Sequence, residues 1–267
     1  MNIDQIKQKL QTNIFGDKLF YYEEVDSTNA RTLQLAREGA PEGTVVLTDF
    51  QKKGKGRLNR TWFAPKGENL LVSVLLRPEQ EITAVQKITL AMANIVLEVL
   101  DKHLKSESKT REAHTISLKW PNDVLIDHKK VAGILSESIL KEKHIEALVI
   151  GFGINLNTPV KQMPDEIKAT TISLIDILGK PVNRERFLCE LLLLLEKHYT
   201  SLERSNYKNV VKQWKKHCPD IGQKIIITTP GGQETGTFQD INKFGYLVYQ
   251  TDDGIRKELN AGEIRKA

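Results

Sequence analysis

Apolar positions change period several times along the chain, and each change marks an element. Ile3, Ile6 and Leu10 recur at helical spacing, so residues 2 to 12 read as a short amphipathic helix. "KLFYYEEV" then reads as a strand. In "DSTNARTLQLAREGAPEG", Asp26, Ser27 or Thr28 can cap a helix running to about Glu38, with Gly39 past its end. "TVVLTDF" is a strand, and "NLLVSVLLRP" is a near-continuous apolar strand ended by Pro78. "ITAVQKITLAMANIVLEVLDKHL" keeps apolar residues at three- and four-residue spacing and predicts a long helix. The polar stretch "KSESKTREAH" reads as a loop. "TISLKW", "DVLIDHKKVAGILSESIL" and "HIEALVIGFGINLN" predict strands in quick succession. "TISLIDILG" and "RERFLCELLLLLEKHYTSLE" return to helix. Strands clustered mid-chain with helices before and after predict an α+β layer fold, not regular βαβ winding.

The texture changes near Cys218-Pro219, so the chain divides into residues 1–218 and 219–267. The second part consists of short strands and tight turns: "QKIIITT", Pro230-Gly231-Gly232, "ETGTFQDI", Asn242 to Gly245, "YLVYQ", Asp252-Asp253-Gly254 and "IRKEL". Turn signals at this spacing predict a small all-β barrel. Some fifty residues hold a core with difficulty, and docking on the larger part would help.

The 267 residues include 40% hydrophobic and 27% charged side chains, ordinary for a globular protein. A net charge of +5 permits an anionic partner without demanding one. Two cysteines, Cys189 and Cys218, form no C-x-x-C pair and argue against a disulfide framework or a structural zinc. Asp4, Lys7 and Lys9 interrupt the first turns, against a signal peptide. The longest run of consecutive apolar side chains, Leu191 to Leu195, is far too short to span a bilayer. The expectation is a cytoplasmic protein without membrane attachment.

One stretch stands apart, "DFQKKGKGRLNRTWF". Lys52, Lys53, Lys55, Arg57 and Arg60 fall within nine residues with no acid, interrupted by Gly54 and Gly56. Glycines let a backbone approach an anion and offer N–H groups beside the side chains. Arg57 could grip a phosphate bidentately, with Lys55 as a point charge. Phosphate or carboxylate binding, a solvated turn, and nucleic-acid contact all remain open on these residues. From Lys52 to Asn59 the loop has several like charges, two glycines and no apolar anchor, so it is expected to be mobile when empty and to order over a ligand. A second stretch, "LKWPNDVLIDHKKVAGILSE", places Asn122 and Asp123 after a Trp-Pro corner and Lys130 ahead of an apolar strand. Asp123 could bind Mg²⁺, or belong to a turn. Ala132 and Gly133 would allow a ligand close to the backbone. A third stretch, "VIGFGINLN", puts Gly151, Gly153 and Asn155 at a strand end.

Taken together, "STN" at 27–29, "QKKGKGRLNRTW" at 51–62, "KWPND" at 119–123, "KKVAGI" at 129–134 and "GFGINLN" at 151–157 resemble the motif series of the biotin–protein ligases, in the family's order. The resemblance covers essentially the whole chain. It implies a mixed-sheet catalytic domain of the biotin/lipoate protein ligase type, with a small C-terminal SH3-like β barrel. Two positions depart from the family's pattern. Lys55 stands where an arginine is usual and Asn59 where a glycine is usual; asparagine tolerates left-handed backbone better than most residues.

The resemblance also implies an activity, in which ATP activates biotin as biotinyl-5′-AMP and the acyl group passes to one lysine of a biotin carboxyl carrier domain. It implies Lys130, Arg57 and Lys55 as catalytic cations. Ser27, Thr28, Asn29, Gln51, Gly54, Lys55, Gly56, Arg57, Lys130 and Gly133 would contact biotin. Arg57, Arg60, Trp62, Asn122, Lys130, Ala132 and Asn155 would contact ATP or the adenylate. Asp123 would serve Mg²⁺, and no tightly bound cofactor is expected. Rival readings are a lipoate–protein ligase and a nucleic-acid-binding module. Only 26 residues precede Ser27, too few for a helix-turn-helix beside the helix and strand already placed there, so no sequence-specific DNA binding is expected. Pairing with a second copy of the chain as a homodimer is left open.

Overall fold

The computed structural model describes residues 1–107, 114–205 and 207–267, with Asn59 described by its backbone alone. Helix α1 (Ile3–Lys9) is capped by the Asn2 side chain on the Gln5 N–H. Strand β1 (Leu19–Val25), helix α2 (Thr28–Arg37), strand β2 (Val45–Gln51) and strand β3 (Leu70–Leu76) follow. Helix α3 (Val85–Glu107) leads to strands β4 (Ile116–Lys119), β5 (Asp123–Ile126), β6 (Lys129–Lys141) and β7 (His144–Ile154). These seven strands form one mixed sheet in the order β1-β2-β3-β7-β6-β5-β4, parallel between β1 and β2 and antiparallel elsewhere. Of the expected loop "KSESKTREAH", the first three residues extend α3, and 108–113 lie outside the described residues.

Two short helices come next, α4 (Asp165–Lys168) and α5 (Leu174–Leu178). The stretch "TISLIDILG" is therefore only half helical. Thr171 bridges Lys130 in parallel, and helix begins after the capping box of Ser173 and Asp176. β-Branched Thr171 and Ile172 suit that extended entry. Helix α6 (Arg184–Arg204) matches its sequence signal, while α7 (Val210–Lys215) was hidden in a lysine-rich stretch.

The remaining strands are β8 (Lys224–Thr229), β9 (Gly232–Ile241), β10 (Leu247–Thr251), β11 (Arg256–Leu259) and β12 (Glu263–Lys266). They form a five-stranded antiparallel sheet in the order β11-β10-β9-β8-β12. This sheet is stitched to the larger one, since buried Trp120 donates its indole N–H to the Gly245 carbonyl (3.0 Å).

Strand alternation divides the large sheet into two faces. Leu70, Val72, Val74 and Leu76 of β3, with Leu148, Ile150, Phe152 and Ile154 of β7, face the main core. There they meet α3 (Ile88, Met92, Ile95, Val96, Val99) and α6 (Phe187, Leu188, Leu191, Leu192, Leu195). By length and composition α3 is apolar enough to cross a bilayer, but here its apolar residues are packed in this core. On the opposite face Leu75, Ala147 and Val149 pack under Ala36 of α2. Cys189 and Cys218 are both buried, as small apolar side chains would be; burial raises both thiols, that of Cys218 to about 12.

Asp49 of β2 fastens α6 to the sheet beside Gln51. Its carboxylate accepts from Arg184 (2.8 Å), the Tyr21 hydroxyl (2.6 Å) and the Met1 ammonium (3.1 Å). Burial raises the Asp49 pKa, but the hydrogen bonds from Tyr21 and Arg184 outweigh it and hold the carboxyl below its ordinary value. A depressed native pKa gives stabilisation that is complete above the unfolded value of about 3.9 and is lost as pH falls through the native value. Asp49→Ala should destabilise the fold by about 3 kcal/mol at neutral pH, because the half-buried Arg184 loses its carboxylate partner and keeps only the long contact to the Asn69 carbonyl. Urea melts should show that difference shrinking once the pH drops below about 4.

Candidate active site

On the α2 side, the strands carry almost no side-chain bulk where β3, β7 and β6 adjoin. Gly133 of β6 pairs with Gly153 of β7, and Gly151 of β7 lies between Ser73 of β3 and Leu135 of β6. The glycines are required by what lies on them. A Cβ on Gly153 would fall 2.5 Å from the Trp62 ring, and one on Gly133 3.0 Å from it. A Cβ on Gly151 would fall 2.2 Å from Asn29 Oδ1. The result is a cavity of about 410 Å³ with a glycine floor and Trp62 across it.

One end of the cavity is polar and built on the N-terminus of α2. Ser27 is the N-cap, its hydroxyl accepting from the Ala30 N–H (3.4 Å). Of the three capping candidates, then, Ser27 serves. Gln51 Oε1 accepts from the Thr28 backbone N–H (2.8 Å), with the Thr28 hydroxyl 3.1 Å away. Asn29 is held by Ser73, by Glu137 and by the Leu135 carbonyl. Ser27, Thr28 and Asn29 are all buried.

The other end is cationic. The basic stretch folds back as a tight hairpin: Trp62 N–H donates to Gly54 O (3.0 Å), Gly56 N–H to Arg60 O (2.7 Å), and Lys55 bridges Thr61. The anchor lies just beyond the Lys52–Asn59 stretch, which holds none of its own. Trp62 on its glycine floor is the apolar anchor, and two arginines tie the loop to the C-terminal sheet. Arg57 donates to the Gly262 carbonyl (3.4 Å), and Arg60 pairs with Glu263. The left-handed residue of the turn is Leu58 (φ 49°). Gly54 is needed for space, since a Cβ there would lie 2.8 Å from the Trp62 carbonyl. Lys52 and Lys53 turn outward to Glu24 (3.7 Å) and Asp26 (2.8 Å), so only Lys55, Arg57 and Arg60 of the five cations line the cavity. Burial lowers the Arg57 pKa, partly offset by Asp123 and Glu263. Arginine nonetheless stays charged in proteins. Arg57 Nε and Trp62 Nε1 are buried donors without an acceptor among the described residues, so both can serve a ligand.

Lys130 reaches into the same space. Its ammonium forms an ion pair with Asp123 (2.7 Å) and sits 5.3 Å from the centre of the Trp62 ring. The β5–β6 hairpin sets this geometry through left-handed Asp127 (φ 48°) and His128 (φ 65°), as a two-residue turn of the I′ kind requires. The Trp120–Pro121 peptide is cis. Asn122 then locks the corner, its amide donating to the Ile134 carbonyl (2.7 Å). Asn155 holds the β7 end through its backbone N–H to Val131 O (2.8 Å).

Of the residues singled out from sequence, Ser27, Thr28, Asn29, Gln51, Lys55, Gly56, Arg57, Arg60, Trp62, Asn122, Asp123, Lys130, Gly133 and Asn155 line this cavity. Gly54 is tucked beneath the hairpin, and Ala132 turns to the main core by strand parity. Lining residues without a local sequence signal include Phe63, Met163, Ile167, Thr170 and Thr171, with Glu263 and Ile264 from β12. Among the described residues, no group of three His, Cys, Asp or Glu side chains could cage a metal ion. Asp123, whose Oδ1 pairs with Lys130, is a single carboxylate, which would suit a Mg²⁺ only if its other ligands were phosphate oxygens and water.

Comparison with known proteins places this site in a family. Residues 21–155 match the Biotin/lipoate A/B protein ligase family, and residues 220–266 match the Biotin protein ligase C terminal domain. The bifunctional ligase/repressor BirA of Bacillus subtilis is 31% identical, across 96% of this chain and 77% of that one. The biotin–[acetyl-CoA-carboxylase] ligase of Mycobacterium tuberculosis is 31% identical, across 89% and 85%. The biotin protein ligase from Aquifex aeolicus in complex with biotin and ATP is 29% identical and superposes with a TM-score of 0.76, covering 94% of this chain and all of that one. The chain, with its glycine-floored cavity closed by a basic hairpin, belongs to the biotin protein ligase family.

Proposed function

We propose that the chain joins biotin to ATP as biotinyl-5′-AMP and passes the biotinyl group to one lysine of a biotin carboxyl carrier domain. The observation that carries this reading is the polarity of this cavity. One end offers hydrogen-bonding groups of Thr28 and Gln51 beside Asn29, the middle is glycine and tryptophan, and the other end holds Lys55, Arg57 and Lys130. A neutral ureido ring, an apolar ring edge and an anionic phosphate need those surroundings in that order.

The chemistry follows from charge. A biotin carboxylate oxygen attacks the α-phosphorus of ATP, the bond to the β-phosphate oxygen breaks, and pyrophosphate leaves. Two anions must approach, so cations and fixed positions carry most of the rate. Lys130, held by Asp123 and by the Trp62 face, and Arg57, held by Gly262, are restrained before any ligand arrives. Mg²⁺, where bound, would be held through Asp123 and would neutralise phosphate charge. Arg60, Trp62, Asn122 and Asn155 would contact the nucleotide part. In the second step the carrier lysine's neutral amine attacks the acyl carbon, AMP departs, and the amine proton passes to solvent. The arginines that tie the hairpin to β12 keep water from the mixed anhydride.

Incubation with biotin, Mg-ATP and a biotin carboxyl carrier domain should add the mass of one biotinyl group to the carrier. No mass increase, with lipoate transferred in its place, would reassign the substrate. Lys130→Ala should slow pyrophosphate release from biotin and ATP by about 10²–10³-fold while thermal unfolding stays close to the parent, as for other single charges aimed at a transition state. Pyrophosphate release at the parent rate would remove Lys130 from this role. Arg57→Ala loses both a phosphate contact and the tie to β12, so preformed adenylate should escape at least about tenfold faster in a filter-binding chase.

A further inference from the structure

Strand β3 reads Leu70-Leu71-Val72-Ser73-Val74-Leu75-Leu76, and Ser73, its one polar side chain, is fully buried. A hydroxyl in that setting must be bonded. Its oxygen lies 2.7 Å from Thr28 Oγ1 and 2.6 Å from Asn29 Oδ1. One proton cannot serve both. Glu137 decides between them. Asn29 Nδ2 donates to Glu137 Oε2 (2.8 Å) and to the Leu135 carbonyl (3.2 Å). A carboxylate and a carbonyl only accept, so the Asn29 amide cannot be turned around, and its oxygen must face Ser73. The Ser73 proton therefore goes to Asn29, and the Thr28 hydroxyl gives its proton to Ser73. Thr28 then has no proton for Gln51 Oε1, which is held by the Thr28 backbone N–H at 2.8 Å. Gln51 is left with its NH₂ group to offer a ligand, and Thr28 Oγ1 is left with lone pairs.

We propose that Ser73 and Glu137 are positioning residues for ligand recognition: through Asn29 they set the direction of this hydrogen-bond chain. They make the polar end of the cavity a donor on Gln51 beside an acceptor on Thr28. A carbonyl with an adjacent N–H, as in a cyclic urea, matches that pattern; a disulfide ring does not. The inference rests on biotin as the substrate.

The test measures labelled biotin by equilibrium dialysis, with steady-state constants for biotin and ATP. Ser73→Ala and Glu137→Leu should each weaken biotin binding and raise its KM by about tenfold, the scale of one misdirected hydrogen bond. kcat at saturating biotin and the KM for ATP should stay within about twofold of the parent. Glu137→Gln keeps an acceptor oxygen for Asn29 and should bind biotin within about twofold of the parent. Glu137 is only partly buried, so its variants carry the test if Ser73→Ala does not fold. Parent-like binding in both Ser73→Ala and Glu137→Leu would overturn the inference. So would equal losses in kcat and in both KM values, which mark general damage to packing. A parent protein that takes up no biotin would bring down the substrate reading itself.

Discussion

Everything at this site depends on a strip of sheet without side chains. The indole of Trp62 lies where Cβ atoms on Gly133 and Gly153 would be, and Asn29 lies where one on Gly151 would be. A β-sheet normally covers both faces with alternating side chains. Here one face of β6 and β7 is a full core and the other is bare backbone over three glycines. The strip leaves the cavity walled at sheet level by the Trp62 indole and not by strand side chains. It also gives the basic hairpin its footing, because Trp62 is the residue that comes to rest there.

The hairpin connects the two parts of the chain. Arg57 and Arg60 reach Gly262 and Glu263 at the start of β12, and Trp120, one residue before the Pro121 corner, reaches Gly245. The C-terminal sheet thus borders the cavity from both the basic loop and the β4–β5 corner. Several of these contacts involve charged groups that are partly desolvated, where the effective dielectric is lower than in water and each charge is felt more strongly. Arg57 shows the cost in its lowered pKa, which burial drives first. Asp123 performs a similar service for Lys130, holding the ammonium near the glycine floor.

Much of this arrangement was legible in the sequence because its signals are local. The apolar period of "NLLVSVLLRP" located β3, and "FLCELLLLL" located α6 with Cys189 in its buried face. The motif residues converge on the cavity with two exceptions, and both have simple reasons. Ala132 is one residue out of phase with Gly133, and strand parity sends it to the core. Gly54 supports the hairpin by leaving space under Trp62. What stayed hidden was long-range or polar. Strand β12, "EIRK", alternates weakly, and its approach to the cavity is set by docking between sheets. Ser73 looked like one serine in an apolar strand, and only its neighbours from α2 and β6 give it meaning. The hairpin's anchor was missed for the same reason, since the glycines beneath Trp62 lie about seventy to ninety residues downstream.

The central claim, that Trp62 seated on the glycine strip forms a wall of the ligand cavity, is tested most directly at Gly153. Equilibrium dialysis of labelled biotin against Gly153→Ala should show binding weakened by at least about a hundredfold, because the added methyl displaces the indole. The variant should still unfold cooperatively with only a modestly lowered thermal transition, as the change disturbs the hairpin's footing and not the main core. Biotin held by Gly153→Ala as tightly as by the parent would contradict the account.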